Sequence, residues 1–300
     1  MKKIISLLLI VLLLFSLSSC TTSKQIKSKI NRLTYSIIDE EDKIYSYNYY
    51  PNEDREEQII VEGYESIEAV KYVADGFYCF GAKGKNHYIL YKNKSGLNAI
   101  KLPKAIEELK EIFEYKGKAF FITSDEDWYG SYLYVADFTS GKLQLFCKTN
   151  AVPDNYFVVS DYIVISEDSA VVNLSTAGST YNYGKISIFD GKKWTSFSGI
   201  EPVFYDDTSF LYTKRATASD TNGCYKYNVK EKTEEKMPFN YLSYDYNVND
   251  TVFFSIKFLA PETVVQTTDE RLITARNINS PKKVKLKKHN NYSILYFDVA

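Results

Sequence analysis

The feature that most limits what this 300-residue chain can fold into is a turn followed by an aromatic or β-branched run, returning at a nearly fixed distance. Asp75-Gly76 precedes Phe77-Tyr78-Cys79-Phe80, and Lys116-Gly117 precedes Ala119-Phe120-Phe121-Ile122. Asp161 precedes Tyr162-Ile163-Val164-Ile165, Asp206-Asp207 precedes Phe210-Leu211-Tyr212, and Asn249-Asp250 precedes Val252-Phe253-Phe254. The steps between Gly76, Gly117, Asp161, Asp207 and Asp250 are 41, 44, 46 and 43 residues. A second hairpin follows each marker. Tyr132 to Val135 leads through Thr139-Ser140-Gly141 into Leu143 to Leu145, and Ile186 to Phe189 leads through Asp190-Gly191 to Trp194. Others run from Tyr225 to Met237 and from Leu272 to Leu286. Ser-Gly and Asp-Gly are hairpin signals because they tolerate the left-handed backbone of tight turns. The 27 Tyr and 18 Phe supply residues that suit a pleated, packed surface.

Four strands in each repeat of roughly 40 to 50 residues are the pattern of a propeller blade. Counting second hairpins, with the first at Ile44 to Val61, gives six. The chain from Leu33 onward supplies three strands and lacks an innermost one, while Ser293-Ile294-Leu295-Tyr296-Phe297-Asp298 is a lone strand after the last full repeat. Pairing the two completes a sixth blade and removes an open sheet edge. The expectation is an all-β chain with a β-propeller over residues 32–300, of six four-stranded blades closed by its N- and C-terminal strands. Two packed sandwiches would show short strands but not this period.

Over residues 33–300 the blade pattern resembles extracytoplasmic six-bladed propellers of the TolB-like type. No Trp-Asp, Gly-Gly or Tyr-Trp-Thr-Asp sequence occurs, so the WD-repeat and kelch families are not supported. The resemblance implies fold only, because propellers host many unrelated functions.

The first residues carry a different signal. Met1-Lys2-Lys3 is followed by an apolar run from Ile4 to Leu17, broken by Ser6 and Ser16. The run is short for a membrane span, which needs about 20 apolar residues, and it ends in small residues as an export signal does. Leu17-Ser18-Ser19-Cys20 resembles the lipobox of bacterial lipoproteins. That resemblance implies cleavage after residue 19 and a diacylated Cys20, and two acyl chains anchor a protein stably. The plain alternative is an ordinary signal peptide with an incidental cysteine. Residues 20–31 then form a polar tether. Loss of Lys2 and Lys3 leaves 35 basic against 38 acidic side chains, a net charge of −3. That is no footprint for nucleic acid. Cys79, Cys147 and Cys224 are odd in number, so a disulfide scaffold is not indicated. Cys79 and Cys147 sit in apolar settings and read as small buried hydrophobes.

Catalytic signals are sparse. His87 and His289 are the only histidines and have no spaced partner for zinc. No Gly-x-Ser-x-Gly elbow is present. Ser280-Pro281-Lys282-Lys283 fits Ser-x-x-Lys by letter, but Pro281 places it in a turn. Asp125-Glu126-Asp127-Trp128-Tyr129-Gly130 offers carboxylates near a glycine, as calcium sites do, yet lacks the further oxygens such a loop supplies. It reads as a solvated acidic loop, as does Asp39-Glu40-Glu41-Asp42. Tyr45, Tyr47 and Tyr49 alternate along one strand, as a sugar platform or as packing between blades, and packing is favoured because both faces of a blade are covered.

Binding is expected where loops are long. These are residues 167–183 with Asp168, Ser179 and Tyr181, residues 214–222 with Arg215 and Asp220, and residues 258–269 with Glu262. Asp125, Asp127 and Trp128 are a competing centre. Variable loops on a rigid scaffold carry function, though loop insertions are also tolerated at small cost. No cofactor or metal is expected. The sequence points to a membrane-anchored extracytoplasmic binding or scaffold propeller for an envelope protein, peptide or glycan. The alternative is a cell-envelope enzyme acting on polysaccharide through channel carboxylates.

Overall fold

A computed structural model describes residues 27–104, 106, 108–124, 131–149, 153–171, 181–214, 223–237, 256–259, 263–269, 272–277, 283–288 and 293–299. Blade 1 begins with β1 (Leu33–Ile38), β2 (Ile44–Tyr50) and β3 (Arg55–Gln58). Blade 2 holds β4 (Ser66–Val73), β5 (Gly76–Lys83), β6 (Asn86–Asn93) and β7 (Gly96–Lys101). Blade 3 holds β8 (Glu108–Tyr115), β9 (Lys118–Ser124), β10 (Ser131–Asp137) and β11 (Lys142–Thr149). Blade 4 holds β12 (Pro153–Val159), β13 (Tyr162–Val171), β14 (Tyr181–Phe189) and β15 (Trp194–Ser198). Blade 5 holds β16 (Ile200–Asp206), β17 (Ser209–Lys214), β18 (Gly223–Asn228) and β19 (Thr233–Lys236). Blade 6 holds β20 (Ile256–Leu259), β21 (Thr263–Asp269), β22 (Leu272–Asn277) and β23 (Lys283–Lys288). The last strand, β24 (Ser293–Val299), returns to blade 1, whose order is β24-β1-β2-β3.

β24 pairs antiparallel with β1, from Leu33 opposite Val299 to Ile38 opposite Ser293. The innermost strands touch in succession, β24 to β4, β8, β12, β16 and β20, and β20 returns to β24. This is a six-bladed β-propeller closed by its two chain ends. In five of the six sheets, the pairing between the innermost strand and its neighbour carries a register shift. Such bulges add local twist and re-aim side chains at a rim.

Burial follows position within a blade. β1, second from the axis, is buried along Leu33 to Ile37 on both of its faces, because a blade packs against a neighbour on each side. The outermost β3 (Arg-Glu-Glu-Gln) and β19 (Thr-Glu-Glu-Lys) are exposed throughout, and their charges blunt edges that would otherwise recruit another strand. In blades 1 and 5 the outer strand is clamped to the second strand. The Tyr35 hydroxyl donates to Glu56 Oε2 at 2.7 Å, and the Tyr212 hydroxyl donates to Glu234. Burial first, then the glutamate, pushes both phenols far above their ordinary value. Glu56 also pairs with Lys287 of β23, which joins blades 1 and 6.

One set of turns recurs. Asn93, Asp137 and Asn228 end the third strand of blades 2, 3 and 5, and Asp190 directly follows that of blade 4. Each side-chain Oδ1 accepts the backbone N–H groups two and three residues on. Asx residues close such turns without a long loop. The Lys193 and Lys192 N–H groups hold the Asp190 carboxyl below the usual carboxylate range. Lys116 and Gly117 both have positive φ, 51° and 72°, and form the two-residue turn between β8 and β9.

The cores lie between blades. Ile89, Phe80 and Ile100 of blade 2 meet Ile112 and Phe121 of blade 3. Phe113, Phe120 and Leu133 meet Ile163 and Ile165 of blade 4, and Ile186 and Ile188 meet Phe210 and Tyr212 of blade 5. Tyr49 is buried between blades 1 and 6, with Tyr45 and Tyr47 against the same cluster, so this tyrosine stripe is packing. Cys79 and Cys224 are buried thiols, whereas Cys147 is only half-buried, against the expectation of a fully buried hydrophobe. Burial pushes the Cys79 thiol well above its ordinary value.

Blade 6 corrects the sequence reading. Residues 258–269, expected as a loop, are largely strand: Leu259 pairs with Thr263, and Ile256 with Gln266. Thr263-Val264-Val265-Gln266-Thr267 is rich in β-branched residues, which favour a pleated strand. Val252-Phe253-Phe254, expected as this blade's second strand, lies outside the described residues.

Candidate functional site

The antiparallel meander sends the first-to-second and third-to-fourth strand turns to one end of the ring. The second-to-third connections and the links between blades go to the other end. At the turn end, blades 2 to 5 have short turns between first and second strands, at 74–75, 116–117, 160–161 and 207–208. At the connection end the strands of blades 3, 4 and 5 are joined through 125–130, 172–180 and 215–222. The strands flanking these three connections therefore end on the same side of three successive blades.

Asp168 and Tyr181 sit on β13 and β14, where Asp168 is opposite Gly184 and Val171 is opposite Tyr181. The strands thus run further toward the connection end than the loop expected over 167–183. Asp125, Asp127, Trp128, Ser179, Arg215, Asp220, Glu262 and Cys20 lie outside the described residues. β20 and β21 are the first and second strands of blade 6. The second-to-third connection of blade 6 is the short step from Asp269 to Leu272. The strands that flank 125–130, 172–180 and 215–222 end at the connection end of blades 3, 4 and 5.

The axis presents a second polar feature, which the sequence reading did not single out. Lys71 Nζ of β4 pairs with Asp298 Oδ2 of β24 at 2.9 Å, partly buried, across two neighbouring innermost strands. Glu68 lies on β4 beside the bulge between Glu68 and Lys71. Burial raises its carboxyl from 4.5 to about 7, with no charged neighbour contributing. A glycosidase pair needs a second carboxylate within a few ångströms, and among the described residues none acts on Glu68. The only sequence cue was a carboxylate in a strand that alternates like a half-exposed one, and innermost position alone made it distinctive. Among the described residues no group of three or more His, Cys, Asp or Glu side chains is arranged to hold a metal ion. His87 is exposed on β6.

The fold is similar to that of TolB. TolB from Acinetobacter baumannii superimposes with a TM-score of 0.58 at 11% identity, over 90% of this chain and 66% of TolB. The chain thus spans just under two thirds of TolB's length. A structure of the nidogen/laminin complex gives a TM-score of 0.54 at 11% identity, covering 90% of this chain and 98% of the other. Oligogalacturonate lyase in complex with manganese gives 0.52 at 11% identity, covering 88% and 76%. At such identities the likeness is one of fold alone. No protein-family model and no curated protein matches the sequence.

Proposed function

We propose that this chain is an extracytoplasmic lipoprotein, held to the membrane by a diacylated Cys20, whose propeller binds an envelope protein, peptide or glycan without catalysis. The observation that carries the binding reading is the asymmetry of the ring. One end is closed by short turns locked through Asn93, Asp137, Asp190 and Asn228. At the other, the strands that flank 125–130, 172–180 and 215–222 end in three adjacent blades. A rigid scaffold presenting adjacent loops suits recognition. Polar residues such as Ser179, Arg215 and Asp220 suit hydrogen-bonded contact over burial of a large apolar partner. TolB and nidogen are propellers of similar fold, and nidogen is seen in a complex with laminin, which supports a binding role for this architecture. Among the described residues no helix is long and apolar enough to cross a membrane.

Two experiments test the parts separately. Cys20→Ser is expected to release the protein from the membrane fraction or leave it uncleaved; a cleaved variant that stays membrane-bound would overturn the single tether. Shortening 172–180 and 215–222 in turn is expected to weaken pull-down of envelope partners while the protein still folds. Full retention by both shortened proteins would move the site to 125–130.

A second reading, an envelope enzyme acting on polysaccharide, is favoured by Glu68. A carboxyl titrating near 7 is matched to general acid work. Loss of glycan cleavage in Glu68→Gln would support it.

A further inference from the structure

The chain enters the propeller at a fixed point. The Ile30 N–H donates to the Lys27 carbonyl at 3.1 Å, and Ile30 is fully buried in the cluster of Leu33, Tyr49 and Phe297 that joins blades 1 and 6. Leu33 stands opposite Tyr49 of β2 and Val299 of β24. β2 passes into β3 just beyond Tyr49, so this entry point is at the turn end. Seven residue steps separate Cys20 from Lys27, and a chain of that length reaches at most about 25 Å. β1 and β4 hold 6 and 8 residues, which sets the two ends of the ring roughly 20–26 Å apart. To bring the connection end to lipid, the spacer would cross that thickness and also the two strand spacings from β1 to β3, roughly 10 Å more. That exceeds its reach on the outer side and exhausts it along the axis.

A cation without a partner lies beside this entry. Arg32, half-buried, lays its guanidinium over the Tyr72 ring at 3.5 Å, and Tyr72 is next to the 74–75 turn. Arg32 Nε is buried and, among the described residues, has no hydrogen-bond acceptor. A buried donor left unmet costs free energy. Acids at this end of blades 1 and 2 are already engaged: Glu53 with Arg55 at 2.7 Å, Asp54 with the Tyr49 hydroxyl at 2.7 Å, Asp75 with the Tyr91 hydroxyl at 2.6 Å and Asp298 with Lys71 at 2.9 Å. Lys29 and Lys94 are exposed at the same end. Around blades 3 and 4 this end mixes both signs, with Asp161 near Lys116 and Asp190 near Lys193. The unmatched charge is therefore local to the entry.

We propose that the turn end of blades 1 and 2 rests on the membrane, with Arg32 holding the phosphate of an anionic phospholipid headgroup, so that the connection end faces away from the lipid. A guanidinium meets phosphate oxygens through parallel charge-assisted hydrogen bonds. Each basic residue near an anionic bilayer surface adds roughly fivefold to the attraction. The tether supplies the local concentration, so one such contact is enough to orient the ring. The inference rests on the lipoprotein reading, and it sets the loop site of that reading where an envelope partner has access.

Amine-reactive footprinting of the protein purified from membranes, read by mass spectrometry, tests the orientation. The acylated protein is compared in detergent and in vesicles of equal parts phosphatidylglycerol and phosphatidylcholine. Lys29 and Lys94 at the turn end are expected to react at least about fivefold more slowly on the vesicles. Lys83, Lys85 and Lys104, exposed at the connection end, are expected to keep their rates. Arg32→Gln should remove about fivefold of the turn-end protection, with thermal melting as the check on its fold. The comparison of the two ends in the parent stands even if the variant does not fold. Vesicles of phosphatidylcholine alone should protect the turn end less, and inorganic phosphate added in detergent should not protect it. Equal rates at both ends, slowing confined to the connection end, full protection in a folded Arg32→Gln, equal protection on the neutral vesicles, or protection by inorganic phosphate would overturn the proposal. An N-terminal peptide without acyl mass would overturn the lipoprotein reading and this inference with it. An acylated N-terminus with equal rates at both ends would overturn the orientation alone.

Discussion

The junction between blades 1 and 2 and the junction between blades 3 and 4 solve one packing problem by different means. Between blades 3 and 4 the packing is aromatic: Phe120 of blade 3 rests on Phe146 (centroids 5.2 Å), which meets Phe189 and Trp194 of blade 4 at 5.1 and 6.3 Å. Between blades 1 and 2 a chain of polar groups runs through the interior. The Ala69 N–H donates to Ser36 Oγ at 3.2 Å, Ser36 and Ser46 are 2.7 Å apart, and Ser46 donates to the Ile67 carbonyl at 2.6 Å. Only one proton order satisfies all three, with Ser36 donating to Ser46. Thr34 donates to Asn48, Asn48 donates to the Tyr72 hydroxyl, and the Arg32 guanidinium covers the Tyr72 ring at 3.5 Å. The polar chain meets β4 at its bulge, where Ala69 takes a φ of 49°. Aromatic packing is strong but non-directional, whereas a satisfied hydrogen-bond network fixes one arrangement. The directional junction lies beside the blade assembled from both chain ends, where register must be set by something other than continuity of the chain.

Perturbing each region separates the two roles. The largest effect is expected from ending the chain at Asn291. That removes β24, the buried Phe297 and the Lys71–Asp298 ion pair, and exposes the inner edge of β1. Circular dichroism and thermal melting should show loss of the cooperative transition, not a shifted one. Next, Phe120→Ala at the aromatic junction should cost about 3–5 kcal/mol, the usual range for a buried Phe truncated to Ala. Urea unfolding measures it, and a cost below 1 kcal/mol would mean that this junction is loosely packed.

Glu68 should act in the opposite direction. Its folded-state value of about 7 exceeds the ordinary 4.5, so the native protein holds its proton more tightly than the unfolded chain does. Stability from this group is therefore lost as pH rises from about 4.5 to 7. Glu68→Gln should be more stable than the parent at pH 8, by at most about 3 kcal/mol, and equal to it at pH 4. Urea midpoints at the two pH values give the comparison. The smallest effect is expected from Ser46→Ala, which leaves the Ile67 carbonyl without its donor and should cost about 1–3 kcal/mol. A matching loss in Ser36→Ala, with no further loss in the double variant, would show that the serines act as one unit.

Much of this fold was legible in the chain because its determinants are local. Period, turn residues and the polar outer strands Arg55–Gln58 and Thr233–Lys236 can each be read within one blade. The orphan strands at Leu33 and Ser293 made closure legible as well. In blade 6 the second strand is Thr263–Asp269, not the run after Asn249-Asp250, which carries the same marker as the other blades. The polar features were hidden for a different reason. Glu68 looks like any half-exposed strand residue until its strand is known to be innermost. The Lys71–Asp298 ion pair exists only where the last strand meets blade 2, and sequence spacing does not reveal which strands become neighbours. Of the candidate residues chosen by loop length, only Asp168 and Tyr181 fall on described strands, β13 and β14.

Closure by β24 is the claim on which the ring depends, and native-state hydrogen exchange reads it most directly. The amides of Ile294 to Phe297 that pair with β1 should exchange only through global unfolding, with protection equal to that of Phe120 and Phe121 in β9. Exchange of these amides at the rate of a frayed terminus, with β9 still protected, would contradict a ring held shut by its last strand.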